Sequence, residues 1–262
     1  MGDERLGGIP TSQKWAAVVD QILGGAGLLV EDTPSLAASA LDAASAALEA
    51  AKNDPGLRYT FYLLTQIALA TRQPDWRERL RGVGIALSDD ASVFDLTAGL
   101  QSAVDGYVER HARPTDVSEI AQQAAGEALT SLAAARTDAL FGRGAEHLQS
   151  AVRQLSTENG FSSLGQRFFG RLLSRFLNFY LSRVTAAQVG SARLGSISEV
   201  SRFDDALTTH CEESALIVRT FCGQWYSKTE YVAGINPQNT SRFMAVAMRK
   251  LSRQLAKQRA EA

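Results

Sequence analysis

The chain has little of what covalent or metal frameworks are made from. Its 262 residues hold two cysteines, three histidines and six prolines. Two cysteines cannot make a disulfide framework. Cys211 and Cys222 stand eleven residues apart on what reads as one helix, a separation of roughly 16 Å and well beyond disulfide reach. A reduced, intracellular protein is the reading that follows, and a cytoplasmic location is expected. No apolar run reaches the roughly 18 residues of a membrane span. The best stretch, Trp15 to Val30, carries Asp20, Gln21 and three glycines, and Asp20 also spoils it as a signal peptide. No membrane partner is expected.

Catalytic signatures are missing as well. There is no G-x-x-x-x-G-K-[ST] loop, and Gly24-Gly25-Ala26-Gly27 follows a helical segment instead of a strand, so it is not a phosphate cradle. Neither a G-x-S-x-G elbow nor H-E-x-x-H nor paired C-x-x-C occurs. His210 and Glu213 are three apart and would share a helix face, but a di-metal bundle site needs Glu-x-x-His from other helices, and the chain has none. His111 closes a helix, where its charge suits the C-terminal dipole. Cys211 and Cys222 have no activating pair and read as buried structural thiols. No metal, no cofactor and no enzymatic activity are expected.

What is abundant is helix-forming residues. Alanine (40) and leucine (30) far outnumber valine (15) and isoleucine (8), which favours helices over strands. Ten segments have 3-and-4 apolar spacing or helix-type boundaries, and none alternates like a strand. Thr33-Pro34 and Asn236-Pro237 are cap-plus-first-turn pairs. Val93, Leu96, Leu100, Val104 and Val108 make one inward stripe; Val117, Ile120, Ala124, Ala128 and Leu132 make another. Residues 162–189 form the most aromatic segment, with Phe168, Leu172, Phe176 and Phe179 or Tyr180 expected in the core. A single long helix is expected from Ser198 to Tyr226, then a nine-residue loop from Ser227 to Ile235. The fold expected is all-α, a bundle of nine or ten antiparallel-packed helices over at least about 60% of the chain, well above the usual third.

Charge divides the chain. Residues 1–135 carry 10 basic and 18 acidic side chains, and residues 136–262 carry 17 and 10. The organisation expected is a flexible arm over 1–14, an acidic helical half over 15–141 and a basic, aromatic-rich half over 142–262, all parts of one continuous domain with a hinge at Phe141-Gly142-Arg143-Gly144. Two basic rows lie on helix faces. Arg167, Arg171 and Arg175 follow one another at single-turn spacing, and Arg242, Arg249, Lys250, Arg253 and Lys257 line the last helix. Either row would meet phosphates or an acidic partner. The competing account is that the oppositely charged halves pair with each other.

The segment from Phe221 to Leu251 is dense in aromatic and polar residues. Asn239, Ser241 and Arg242 would sit at the start of a recognition helix, but a nine-residue loop is too long for a helix-turn-helix. The segment's texture resembles that of helical accessory proteins encoded with bacterial defence genes; no named family's motif is present. The function expected is a non-enzymatic interaction subunit of a bacterial multiprotein assembly, with a nucleic-acid-binding module as the alternative. The partner expected is another protein subunit, with nucleic acid or a second copy of the chain as further candidates.

Overall fold

Helix starts follow local chemistry in the computed structural model, which describes residues 13–24, 33–134, 145–186 and 197–261. Asp54 accepts from Leu57 N at 2.7 Å and precedes Pro55, so α4 (Pro55–Ala70) begins with a capped, proline-led turn. Ser92 and Asp95 form a reciprocal capping box at the start of α6 (Val93–His111). Asn236 Oδ1 accepts from the amides of Gln238 and Asn239, and Asn239 Oδ1 accepts from Asn236 N, which fixes the start of α12 (Pro237–Glu261).

The remaining helices are α1 (Gln13–Gly24), α2 (Thr33–Ala43), α3 (Ser45–Ala51), α5 (Trp76–Gly82), α7 (Asp116–Ala134), α8 (Ala145–Arg153), α9 (Glu158–Ala186), α10 (Ile197–Ser214) and α11 (Leu216–Ala233). Helix covers 86% of the described residues, and no strand occurs among them. The fold is an all-α bundle, as composition implied.

Boundaries differ in four places. The Ala-rich second segment breaks at Ala44 into α2 and α3, and the segment expected from 198 to 226 breaks at Ala215 into α10 and α11. With these two breaks the nine or ten expected helices become twelve among the described residues. The expected loop from 227 to 235 is helix as far as Ala233, because Ser-Lys-Thr-Glu-Tyr-Val contains neither glycine nor proline. The helix stops at Gly234, whose φ of 67° suits glycine. The pair Asn159-Gly160 reads in sequence as a break, yet it lies inside α9: Thr157 Oγ1 accepts from Gly160 N at 3.0 Å, and the helix starts at Glu158. The arm expected over 1–14 lies outside the described residues except for Gln13 and Lys14, which open α1; the hinge at 141–144 also lies outside them.

Helix α9 is the axis of packing. It contacts α7 from the acidic half and α10 and α11 from the basic half. Phe168, Leu172, Phe176 and Tyr180 are all buried, and Phe179 is half-buried. The two expected inward stripes are buried too, with Leu132 half-buried. Phe61 of α4 joins the halves, with ring centroids 5.3–5.5 Å from Phe168, Phe169 and Phe243. One contiguous cluster of buried side chains runs from Trp15 to Leu251. Between α9 and α11 the backbones approach closely at Gly223: a Cβ there would collide with Ser162 Oγ and the Glu158 carbonyl oxygen.

Candidate functional site

The two basic rows have opposite fates. The row on α9 is consumed internally. Arg167 Nη1 reaches both oxygens of Glu212, at 3.0 and 2.8 Å. Arg171 Nε lies 3.1 Å from Glu212 and 3.5 Å from Glu127. Arg175 donates to Gln123 at 2.6 Å and pairs with Glu127. These side chains are about one-third exposed. Glu212 can reach the row because α10 comes close to α9 at Gly170, where a Cβ would lie 2.8 Å from the Glu212 Cα. Glu127 belongs to the acidic half, so part of the charge division is spent holding α7 to α9. Arg72 and Glu230 make the converse bridge at 3.3 Å, from α4's end to α11.

An open cleft of about 530 Å³ runs beside this ladder, between α7, α9 and α10. Its lining mixes Arg171 and Arg175 with Glu119, Glu127 and Asp204. Burial, with the adjacent Asp205 charge second, raises the Asp204 carboxyl above its ordinary value. With four carboxyls, Asp116 included, against two arginines, the cleft offers no excess positive charge to an anion.

The row on α12 is different. Arg242, Arg249, Lys250 and Arg253 are exposed, and none pairs with a carboxylate among the described residues. Arg249 Nε donates only to the Ala245 carbonyl at 3.3 Å, within its own helix. Lys250 Nζ stands 5.1 Å from the centre of the Phe221 ring. Lys257 continues the row as an exposed residue. From Arg242 to Lys257 the row spans roughly 22 Å at 1.5 Å per residue. On the opposite side Phe243, Met244, Met248 and Leu251 are buried. Phe243 stacks on Trp225 at 4.2 Å and on Phe221 at 5.1 Å, so α12 is clamped ring to ring against α11.

The connection from α11 to α12 is three residues, Gly234 to Asn236, instead of nine. The length objection to a helix-turn-helix therefore falls. The polar groups expected to read a partner do other work, however: Asn239 is spent on the cap and Ser241 Oγ donates to the Pro237 carbonyl at 2.8 Å. Of that trio Arg242 alone is exposed.

Sequence reasoning missed the exposed apolar residues of α11. Leu216 is 50% exposed, Ile217 43% and Tyr231 87%, with Val232 beside it. Placing residues 227–235 in a loop hid that Tyr231 and Val232 belong to the same helix as Leu216 and Ile217. The partners Glu127 and Glu212 were also missed, since each is brought to α9 by tertiary packing and carries no local signal.

Among the described residues no group of three or more His, Cys, Asp or Glu stands close enough to hold a metal ion, and no helix is long and apolar enough to cross a membrane. Cys211 and Cys222 are buried and free, and burial pushes both thiols well up, leaving neither poised as a nucleophile. His210 is half-buried, with Nε2 unpartnered among the described residues. Burial lowers its pKa, against a smaller opposing pull from Glu213. Below the unfolded value of about 6.5 the unfolded chain then binds more protons than the native one. Stability from neutral His210 is present above that pH and is lost as pH falls through the lower native value. The thermal midpoint of the wild type is therefore expected to drop more between pH 7 and pH 5 than that of His210→Gln; parallel curves would contradict this.

No protein-family model, no characterised protein and no solved structure matches the chain.

Proposed function

We propose that this protein is a non-enzymatic interaction subunit that engages an anionic partner through the exposed face of α12. One observation carries the reading. Of two basic rows on helix faces, α9's is paired with Glu127 and Glu212, while Arg242, Arg249, Lys250 and Arg253 meet no carboxylate among the described residues. Arginine suits this task, since its planar fork grips carboxylate or phosphate in two places. The ring clamp beneath holds the row on a rigid support. The two buried free thiols fit a reducing compartment such as the cytoplasm, and the setting in a bacterial assembly rests on the texture of the Phe221–Leu251 segment.

A second reading, binding to nucleic acid, is favoured by the length of the row and by the short connection from α11 to α12. Both readings place the contact on α12. The test is elution from immobilised heparin in a salt gradient. Reversing Arg242, Arg249, Lys250 and Arg253 to Glu is expected to abolish retention at about 0.15 M salt with the thermal midpoint nearly unchanged, because exposed positions each shift stability by only about 0.5 kcal/mol. Equal elution of variant and wild type would overturn the reading.

A further inference from the structure

A second charged surface answers the basic face of α12. An open groove of about 790 Å³ runs between the end of α6 and the start of α7. Asp105, Glu109, Asp116 and Glu119 line it, and among the described residues no Lys or Arg does. Asp105 accepts from Gln122 Nε2 at 2.9 Å and Glu119 from Gln123 Nε2 at 3.2 Å, both neutral amides that leave the charge standing. Neither they nor Glu109 pairs with a Lys or Arg among the described residues. The nearby Arg110 turns its guanidinium back over Gly106. On α12, Arg242, Arg249 and Arg253 fall within about 40° of one another around the helix and span roughly 16 Å along it. Helix α12 has no acidic residue before Glu261. The two surfaces cannot meet within one molecule. Tyr59 and Phe61 of α4 are two residues apart and so project about 160° apart. Tyr59 stacks on Tyr107 of α6 at 3.9 Å, while Phe61 stacks on Phe243 of α12 at 5.3 Å. Helix α4 therefore stands between the acidic groove and the basic face.

We infer that the basic face of α12 docks into the α6–α7 groove of a second copy of this chain. The inference rests on the proposed function and names its anionic partner. Charge complementarity carries it: Arg242, Arg249 and Arg253 are exposed on one side of the molecule, and Asp105, Glu109 and Glu119 are exposed on the other. Arginine forks grip carboxylates in two places, so the residue types match as well as the signs. Because α4 separates the surfaces, each docking event leaves a groove open at one end and a basic face open at the other. Such a head-to-tail contact adds further copies instead of closing as a symmetric pair. Nucleic acid would meet the basic face but leave the groove without a partner, since phosphate and carboxylate repel; a second copy engages both surfaces at once.

The experiment is sedimentation equilibrium of the full-length chain. At about 0.05 M salt the weight-average mass of the wild type is expected to rise about twofold or more as the protein is concentrated to about 200 μM, and at about 0.5 M salt to stay at one chain. Two variants each disable one surface at exposed positions: Arg249→Gln with Arg253→Gln, and Glu109→Gln with Glu119→Gln. Each alone should stay at one chain, with a thermal midpoint close to that of the wild type. Mixed in equal amounts, they hold one intact groove and one intact basic face between them, so the mass should reach two chains and stop there. A wild type that remains a single chain at low salt overturns the inference. So does either variant that assembles like the wild type, or a mixture that stays at one chain or grows past two. Association that appears only when a DNA duplex of about 20 base pairs is added makes nucleic acid the occupant and overturns it too. In all these cases heparin retention that depends on α12 leaves the proposed function standing. Loss of that retention for the wild type itself removes both.

Discussion

Phe61→Ala is expected to destabilise the protein by about 3–5 kcal/mol, read as a lowered midpoint in urea or thermal unfolding. Phe61 is fully buried in α4, and its ring faces five others, Phe161, Phe168, Phe169, Trp225 and Phe243, at centroid distances of 5.3–6.2 Å. Those rings come from α9, α11 and α12, so removing Phe61 opens a cavity where the N-terminal helices meet the C-terminal ones. The residues around it are anchored on separate helices and cannot all collapse inward, which places the cost toward the upper end of the range. The exposed basic residues of α12 should feel the loss through Phe243, which stacks on Phe61 and on Trp225. A midpoint shift within error of wild type would show that this cluster is not the junction described.

Gly223→Leu is expected to cost about 3 kcal/mol or more, and with it the close seam of α9 and α11. The obstacle at this position includes backbone: the Glu158 carbonyl oxygen occupies the place of a side chain. A side-chain neighbour could turn aside; a carbonyl in the first turn of α9 moves only if the helix moves. Because α11 carries Phe221 and Trp225, the displacement should also disturb the clamp on Phe243, visible as a change in tryptophan fluorescence of the folded variant. An unchanged midpoint and spectrum would mean that the seam is looser than its geometry indicates.

Much of the fold was legible because its signals are local. The apolar stripes of α6 and α7 repeat at helical spacing, and Thr33-Pro34 and Asn236-Pro237 mark the starts of α2 and α12. Both missed breaks, at Ala44 and Ala215, fall on alanine, the best helix former, where nothing in sequence marks an interruption. The loop assigned to 227–235 failed for the opposite reason: Tyr231 and Val232 were read as loop residues, yet only Gly234 carries a true stop. At the candidate site the two basic rows were visible, but their difference was not. Arg171 and Arg249 have the same residue type and similar helical neighbours. What separates them is that α7 and α10 bring Glu127 and Glu212 to one, while among the described residues no helix brings a carboxylate to the other. Such neutralisation depends on which helices touch, and spacing along a chain does not encode it.

The measurement that bears most directly on this division is a crossed comparison of two charge-reversed proteins. One carries Arg167→Glu, Arg171→Glu and Arg175→Glu; the other carries Arg242→Glu, Arg249→Glu and Arg253→Glu. Thermal midpoint and heparin elution are recorded for each. The first variant sets three new carboxylates against Glu127 and Glu212 and should lose several kcal/mol of stability, while the protein that remains folded keeps its retention on heparin. The second should keep its midpoint and lose its retention. If instead the α9 variant melts like wild type and no longer binds, or the α12 variant binds undiminished, then the internal ion pairs do not hold α9 and the free row is not the binding surface.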